Sequence, residues 1–146
     1  EAIRRFGTEP KVALISHANF GNADTPTALK MRHAVELLRQ RAPDLEVDGE
    51  MHPDAALDAN YRGYIFPNSR LTGSANFLVF PTLDAANGAY NLLKSAGDGL
   101  GVGPLLLGAA KPAHILTPSV SARGLVNMTA LAVVDAQARE EQGSFF

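Results

Sequence analysis

A polar, glycine-containing stretch at residues 16–24, "SHANFGNAD", lies between an apolar run at 12–15 and a helical pattern. A strand that ends in such a loop and feeds a helix is a natural anion site, because exposed N–H groups and the helix dipole favour negative charge. Asn19, Asn22, Thr25 and Thr27 would add side-chain hydrogen bonds. An ordinary strand-to-helix turn needs the same glycine and cap, so both interpretations stay open.

Three carboxylates, Asp48, Glu50 and Asp54, form a small acidic cluster. Carboxylates two positions apart on a strand share a face, where they can serve acid–base chemistry or hold a hard cation. Solvated charges or a structural ion pair are the favoured interpretation. The histidines show no zinc-like pairing, so we predict no metal site; they are His17, His33, His52 and His114.

The glycine run at 97–103 follows a helical pattern and precedes an apolar segment. A dinucleotide-binding fingerprint requires the order strand, loop, helix. We therefore interpret this run as a plain connector.

The elements that would position these residues alternate between strand and helix. We predict strands at 12–15, 45–51 and 77–80, helices at 53–57, 83–96 and about 119–138, and a turn-rich stretch at 60–75. Asp24 or Thr25 caps a further helix, which has Pro26 in its first turn and ends at Pro43. The alternation predicts an α/β fold with a mainly parallel sheet and helices on both faces.

The last predicted helix is apolar around most of its circumference, because of Leu125, Val126, Met128, Leu131, Val133 and Val134. Such a helix needs to be enclosed on several sides. It is either the central helix of this domain or packs on a surface that this chain does not supply. We predict an α/β lobe at 1–113 and a crossover segment with helix at 114–146, which packs on another lobe or a second subunit.

The composition narrows the class of protein. The chain has 146 residues, 46% hydrophobic residues, a net charge of −2 and no cysteine. These values indicate a globular domain without disulfides and give no reason to expect nucleic acid or membrane as a partner. The cytoplasm suits this composition. Because the first residue is Glu1 rather than Met, we expect the chain to be cut from a longer protein.

Four stretches together resemble the C-terminal half of the phosphate acetyltransferase family. They are "VALISHANFGN" (12–22), "APDLEVDGEMHPDAAL" (42–57), "ANFLVFPTLDAANGAYNLL" (75–93) and "GPLLLGAAKPAHILTPSVSARGLVNMTALAV" (103–133). The resemblance implies half of a two-lobed fold like that of isocitrate and isopropylmalate dehydrogenases. In that fold coenzyme A and acetyl phosphate meet between the lobes, and the last helix crosses back onto the first lobe.

The catalytic motif of that family is altered in this chain. Active members carry D-L-S-R-G-C-S-V-x-D-I-V, and its serine, arginine and second aspartate fall on Thr117, Pro118 and Gly124. Proline supplies no cation for a phosphoryl charge, and glycine cannot serve as a base. The family's loop S-x-S-T-x-G-S is matched only at Ser16 and Gly21. We therefore expect no catalytic residue.

This combination resembles the large bacterial NADP-dependent malic enzymes, which carry a phosphate acetyltransferase-like C-terminal region. The resemblance implies a regulatory and oligomerisation domain, at least dimeric, that binds acetyl coenzyme A or a related acyl-CoA as an allosteric effector. Malate decarboxylation to pyruvate, NADP and Mg or Mn belong to other domains, so we expect no cofactor here. The candidate effector-binding residues are Ser16, Asn19, Gly21, Asn22, Thr25, Asn87, Lys94, Thr117, Ser119 and Arg123.

Two alternatives to this sensor role remain. The first is a phosphate acetyltransferase that moves acetyl groups between acetyl phosphate and coenzyme A. The second is a structural oligomerisation module without a ligand.

Overall fold

The computed structural model describes residues 7–98, 101–107, 109–118 and 120–142. The chain divides into two compact units, Glu1–Leu92 and Leu93–Phe146. We call them the first and the second unit. The division falls within the helix at Leu83–Ala96, and the boundary after residue 113 that the sequence suggested stays a prediction.

The first unit contains a parallel three-stranded sheet with the order β2-β1-β3. The strands are β1 (Lys11–Ile15), β2 (Glu46–Met51) and β3 (Phe77–Val79), and the helices are α1 (Pro26–Arg41), α2 (Pro53–Leu57), α3 (Ala59–Ile65) and α4 (Leu83–Ala96). The second unit contains the end of α4 and the whole of α5 (Ala122–Gln142). The predicted α/β class with a parallel sheet is confirmed.

One face of the sheet is covered by α1. Val12 and Leu14 of β1 pack in one cluster with Met31 and Val35 of α1, and Val47 of β2 completes it. All five side chains are buried. Alternate strand residues point to the same face, which is why Val12 and Leu14 share this layer.

The opposite face is covered by the segment that contains α2. Ala13 and Ile15 of β1 pack there with Met51, Ala55 and Leu71. Ala55 belongs to α2, so helical residues pack on both faces of the sheet. This part of the predicted architecture is confirmed.

Helix α3 occupies a stretch in which the sequence predicted only turns. Asp58 caps it, because its Oδ1 accepts hydrogen bonds from the amides of Asn60 and Tyr61, both at 2.9 Å. An aspartate that accepts from the first free amides stabilises a helix start. This cap was the signal that the sequence reading missed.

Helix α5 begins later than predicted, at Ala122 rather than near 119. Ser121 stops the helix from starting earlier, since its Oγ accepts the amide of Gly124 at 3.1 Å. Among the described side chains of α5, Met128 and Asp135 are buried. Four apolar residues of α5 are about half exposed or more: Leu125, Val126, Val133 and Val134. That another lobe or subunit covers them remains a prediction.

Candidate functional site

The candidate ligand loop, residues 16–25, connects the end of β1 to the start of α1. Thr25 ends it as the cap of α1, with Pro26 as first helical residue. The Oγ1 atom of Thr25 accepts the amide of Ala28 at 3.4 Å and lies 3.1 Å from Nε2 of His17. His17 and Thr25 are exposed, so they form the outer, solvent-facing side of the loop.

The backbone amides of this loop are already occupied. Each amide from residue 18 to residue 22 donates a hydrogen bond within the protein. The acceptors, in order, are Ser16 Oγ (3.2 Å), Asn22 Oδ1 (2.9 Å), the Glu50 carbonyl (2.7 Å), Glu50 Oε1 (2.8 Å) and the Asn19 carbonyl (3.1 Å). An anion site made of free N–H groups was one of the two interpretations that the sequence left open at these positions. The structure instead wraps the amides around acceptors of the protein itself.

Glu50 is the internal anion of this loop. Its side chain is fully buried, and its Oε1 lies 2.8 Å from the amide nitrogen of Gly21 and 3.0 Å from Nη2 of Arg32. Arg32 also donates to the carbonyl of Ala23 at 2.8 Å and to Oδ1 of Asp24 at 3.0 Å. Sequence reasoning missed Arg32, although a cation two turns into α1 faces back toward the loop.

These contacts change the proton affinity of the pair. Burial raises the pKa of Glu50, but hydrogen bonds from Arg32 and from the amide of Gly21 outweigh burial and leave that pKa below its usual range. The hydrogen bond to Glu50, followed by the one to Asp24, raises the pKa of Arg32. Glu50 is therefore a structural ion-pair partner, which agrees with the favoured interpretation of the acidic cluster.

Asp48 is buried and satisfied by a different set of donors. Its Oδ1 accepts from Nη2 of Arg39 at 2.6 Å and from the amide of Gly49 at 3.0 Å. Its Oδ2 accepts from Oγ of Ser69 at 2.8 Å and from the amide of Arg70 at 2.7 Å. Asp48 thus anchors the turn after α3, beside a cleft of about 390 Å³.

The third carboxylate of the cluster, Asp54, is exposed in α2 and accepts the amide of Ala55 at 2.8 Å. Each carboxylate has its own donors, so the cluster forms no acid–base pair. Within the described residues, no group of three or more histidine or acidic side chains is arranged to hold a metal ion.

The remaining predicted ligand residues are distributed between the two units. Asn87 is exposed on α4 in the first unit, and its carbonyl accepts Nδ2 of Asn91 at 2.9 Å. Lys94, Thr117 and Arg123 are exposed in the second unit. Ser119 lies outside the described residues. The structure therefore brings together the five loop residues of the predicted set.

The altered catalytic positions lie next to α5. Thr117 and Pro118 precede the helix, and Gly124 belongs to its first turn. A Cβ at position 124 would lie 2.8 Å from Cγ2 of Val120 and 3.3 Å from Oγ of Ser121. The helix start is therefore fitted to glycine and resists the aspartate of the family motif.

A buried pair that sequence reasoning missed joins α5 to the segment before it. Nε2 of His114 lies 3.3 Å from Oδ2 of Asp135, and 4% and 7% of the two side chains are exposed. Within the described residues, neither ring nitrogen of His114 makes a hydrogen bond.

The family model "Phosphate acetyl/butaryl transferase" matches residues 1–133. The chain belongs to this family. It is 43% identical over 128 residues to a phosphate acetyltransferase of Paracoccus denitrificans, covering 88% of this chain and 40% of that protein. The EutD phosphotransacetylase from Staphylococcus aureus superposes with a TM-score of 0.81 at 34% identity, over 94% of this chain and 42% of that chain.

A second solved phosphotransacetylase, from Streptococcus pyogenes, gives a TM-score of 0.83 at 32% identity, over 95% of this chain and 42% of that chain. The predicted phosphate acetyltransferase-like fold is confirmed.

Sequence similarity is higher to a second group of proteins. The chain is 58% identical over 138 residues to the NADP-dependent malic enzyme of Escherichia coli, covering 94% of this chain and 18% of that protein. It is 59% identical over 133 residues to an NAD-dependent malic enzyme of Rhizobium meliloti, covering 91% of this chain and 17% of that protein. The resemblance of this transferase family member to the phosphate acetyltransferase-like region of malic enzymes is confirmed.

The chain spans less than half of the solved transferases and less than a fifth of these malic enzymes. In the described part of this family member, no helix is long and apolar enough to cross a membrane.

Proposed function

We propose that this chain is the regulatory region of a malic enzyme and binds acetyl coenzyme A, or a related acyl-CoA, without transferring the acetyl group. The observation that carries the proposal is a phosphate acetyltransferase fold with Thr117, Pro118 and Gly124 at the positions of the catalytic motif. Identity of 58% to a malic enzyme, against 43% to a phosphate acetyltransferase, supports the same conclusion.

Loss of catalysis does not require loss of binding. Binding needs a groove and hydrogen-bonding groups, whereas turnover also needs charges placed for the transition state. His17 and Thr25 offer exposed hydrogen-bonding groups on the loop, while Lys94 and Arg123 offer exposed cations for the phosphates of the ligand. An effector that binds without reacting can shift a whole enzyme between two conformations.

Malate oxidation belongs, in this proposal, to parts of the protein outside this chain, together with the nicotinamide cofactor and a divalent Mg or Mn ion. Relatives named NADP-dependent and NAD-dependent are equally similar to this region, at 58% and 59% identity. This supports the idea that the choice of nicotinamide is made elsewhere. We expect the whole protein to act in the cytoplasm, without nucleic acid or membrane as a partner.

Acetyl coenzyme A titrated into the full-length malic enzyme tests the sensor role. It should change the rate of malate oxidation, and Lys94→Ala and Arg123→Ala should weaken that response while leaving the effector-free rate unchanged. Lys111→Ala is the matched control, because Lys111 is an exposed cation of the same unit. Without binding or a rate change, the sensor role fails and a structural oligomerisation module replaces it.

Assembly is the second part of the proposal. Val126 and Val134 on α5 are 66% and 57% exposed, and large exposed apolar surfaces mark interfaces. We expect a dimer or a higher oligomer that buries α5. Sedimentation should show this species, and Val126→Asp with Val134→Asp should dissociate it. A clean wild-type monomer at micromolar concentration contradicts the assembly.

A further inference from the structure

Two ion pairs connect α1 to β2, and they differ in their hydrogen bonds to the ligand loop. Arg32–Glu50 and Arg39–Asp48 each join an arginine of α1 to a buried carboxylate of β2. Arg39–Asp48 anchors the turn at Ser69, and the hydrogen bonds of these two side chains to described residues do not reach the loop, although Phe20 lines the same cleft. Both pairs therefore hold α1 against the sheet, but only the hydrogen bonds of Arg32–Glu50 support the loop.

The Arg32–Glu50 pair holds both sides of the loop tip. Glu50 accepts the amides of Phe20 and Gly21 through its carbonyl and its carboxylate. Arg32 holds the other side, because it donates to the carbonyl of Ala23 and to the carboxylate of Asp24. These four contacts hold the backbone at residues 20, 21 and 23 and the side chain of Asp24. Such support is what a binding loop needs to keep its outer groups in place.

The charge of this cluster restricts which ligand groups can bind at the loop. Two carboxylates, Asp24 and Glu50, share the single guanidinium of Arg32, so the cluster carries a net negative charge. A phosphate placed here meets that charge and finds the amides of residues 18–22 already occupied. The exposed groups that remain, on His17 and Thr25, suit an uncharged hydrogen-bonding ligand group.

We propose that Arg32 and Glu50 are positioning residues, which hold the loop so that it receives the uncharged acyl and amide part of an acyl-CoA and excludes its phosphates. This inference rests on the proposed acyl-CoA binding. The nucleotide phosphates then contact other residues, and the loop distinguishes acetyl coenzyme A from the nucleotide portion alone.

Calorimetry on the full-length protein compares two ligands, acetyl coenzyme A and adenosine 3′,5′-bisphosphate, which is the nucleotide part of coenzyme A. Glu50→Gln should weaken the binding of acetyl coenzyme A by about tenfold, which is the scale of one lost hydrogen-bonded contact. The affinity for the bisphosphate should stay unchanged. Asp48→Asn is the matched control on the same strand and should change neither affinity. Equal weakening of both ligands, or equal effects of both variants, overturns the proposal.

Amide hydrogen exchange supplies an independent measurement. Glu50→Gln should increase the exchange rates of Phe20, Gly21 and Asn22, whereas Asp48→Asn should leave them unchanged. Arg32→Lys keeps the positive charge but has one nitrogen where the guanidinium has three. It serves as the second variant if Glu50→Gln does not fold. If wild type fails to bind acetyl coenzyme A, the proposed function and the ligand part of this inference both fail. Unchanged exchange in both loop variants overturns the positioning role by itself.

Discussion

Gly49 of β2 passes so close to Leu14 of β1 that no side chain fits between them. A Cβ on Gly49 would lie 2.6 Å from the carbonyl oxygen of Leu14, and the φ of Gly49 is +136°, a conformation that favours glycine. The neighbouring residues Asp48 and Glu50 reach their partners from this strand, so its path determines the geometry of the site.

We predict that Gly49→Ala lowers the free energy of unfolding by about 3 kcal/mol or more, because the strands must separate and the backbone is strained. Urea denaturation measures the change. Gly63→Ala in α3 is the control, since a Cβ there meets nothing within 4 Å. That variant should be neutral or more stable by about 0.5–1 kcal/mol. Equal stability of the two variants contradicts the close approach.

Arg62 is a buried cation that is held by backbone carbonyls. Nη1 donates to the carbonyls of Ala55 (2.8 Å) and Ala56 (3.1 Å), and Nη2 donates to those of Leu71 and Gly73. Arg62 thereby ties the end of α2 to the irregular segment before β3.

Arg62→Met removes the guanidinium donors from these four carbonyls, of which that of Ala56 keeps the amide of Ala75. We expect a loss of about 3 kcal/mol in the free energy of unfolding. Arg70→Met is the matched control, because Arg70 is exposed, and it should change stability by less than about 0.5 kcal/mol. Thermal or urea unfolding of both variants decides the question. A near-neutral Arg62→Met would show that water replaces the guanidinium without cost.

Stability should depend on pH through Glu50. The pKa of Glu50 lies below its usual value of 4.5 in the folded protein, so the unfolded chain takes up this proton first. The stabilisation is therefore fully present above pH 4.5 and is lost as the pH falls through the lower, folded-state pKa. We expect Glu50→Gln to cost about 2 kcal/mol at pH 7 and progressively less in acid.

Urea denaturation of wild type and Glu50→Gln at several pH values measures this gap, which is the difference between their free energies of unfolding. Glu36→Gln is the control, because Glu36 is exposed on the same helix as Arg32 and should show no gap at any pH. A gap of constant size between pH 7 and pH 3 would mean that the charge of Glu50 does not stabilise the fold.

Restoring single catalytic groups should not restore acetyl transfer. Pro118→Arg supplies the family's cation, but Gly124 remains without a carboxylate. Gly124→Asp must in turn displace Val120, whose Cγ2 would lie 2.8 Å from the new Cβ. We expect no coenzyme A-dependent turnover of acetyl phosphate by wild type or by either variant. Turnover by wild type would reinstate the transferase alternative.

The sequence by itself determined the features that depend on neighbouring residues. A continuous apolar run predicted β1 as a buried strand, and Thr25 with Pro26 predicted the start of α1. Four matching stretches predicted the family, and the comparisons confirmed it. Each of these signals is contained in a short segment, where side-chain spacing and capping act directly on the backbone.

Only the tertiary structure decided what the loop and the carboxylates do. Gly21 and Glu50 are 29 positions apart, and Arg32 and Glu50 are 18 apart, yet they form one hydrogen-bonded cluster around the buried carboxylate of Glu50. The same loop sequence is compatible with backbone amides that are free to bind a ligand and with amides that are hydrogen-bonded within the protein. The parallel pairing of β1 with β2 brings Glu50 beneath the loop, and a buried carboxylate must find donors. That requirement, which no local pattern expresses, engaged the Gly21 amide and made Glu50 a structural residue, whereas the amides of residues 18, 19 and 22 bond to acceptors within the loop.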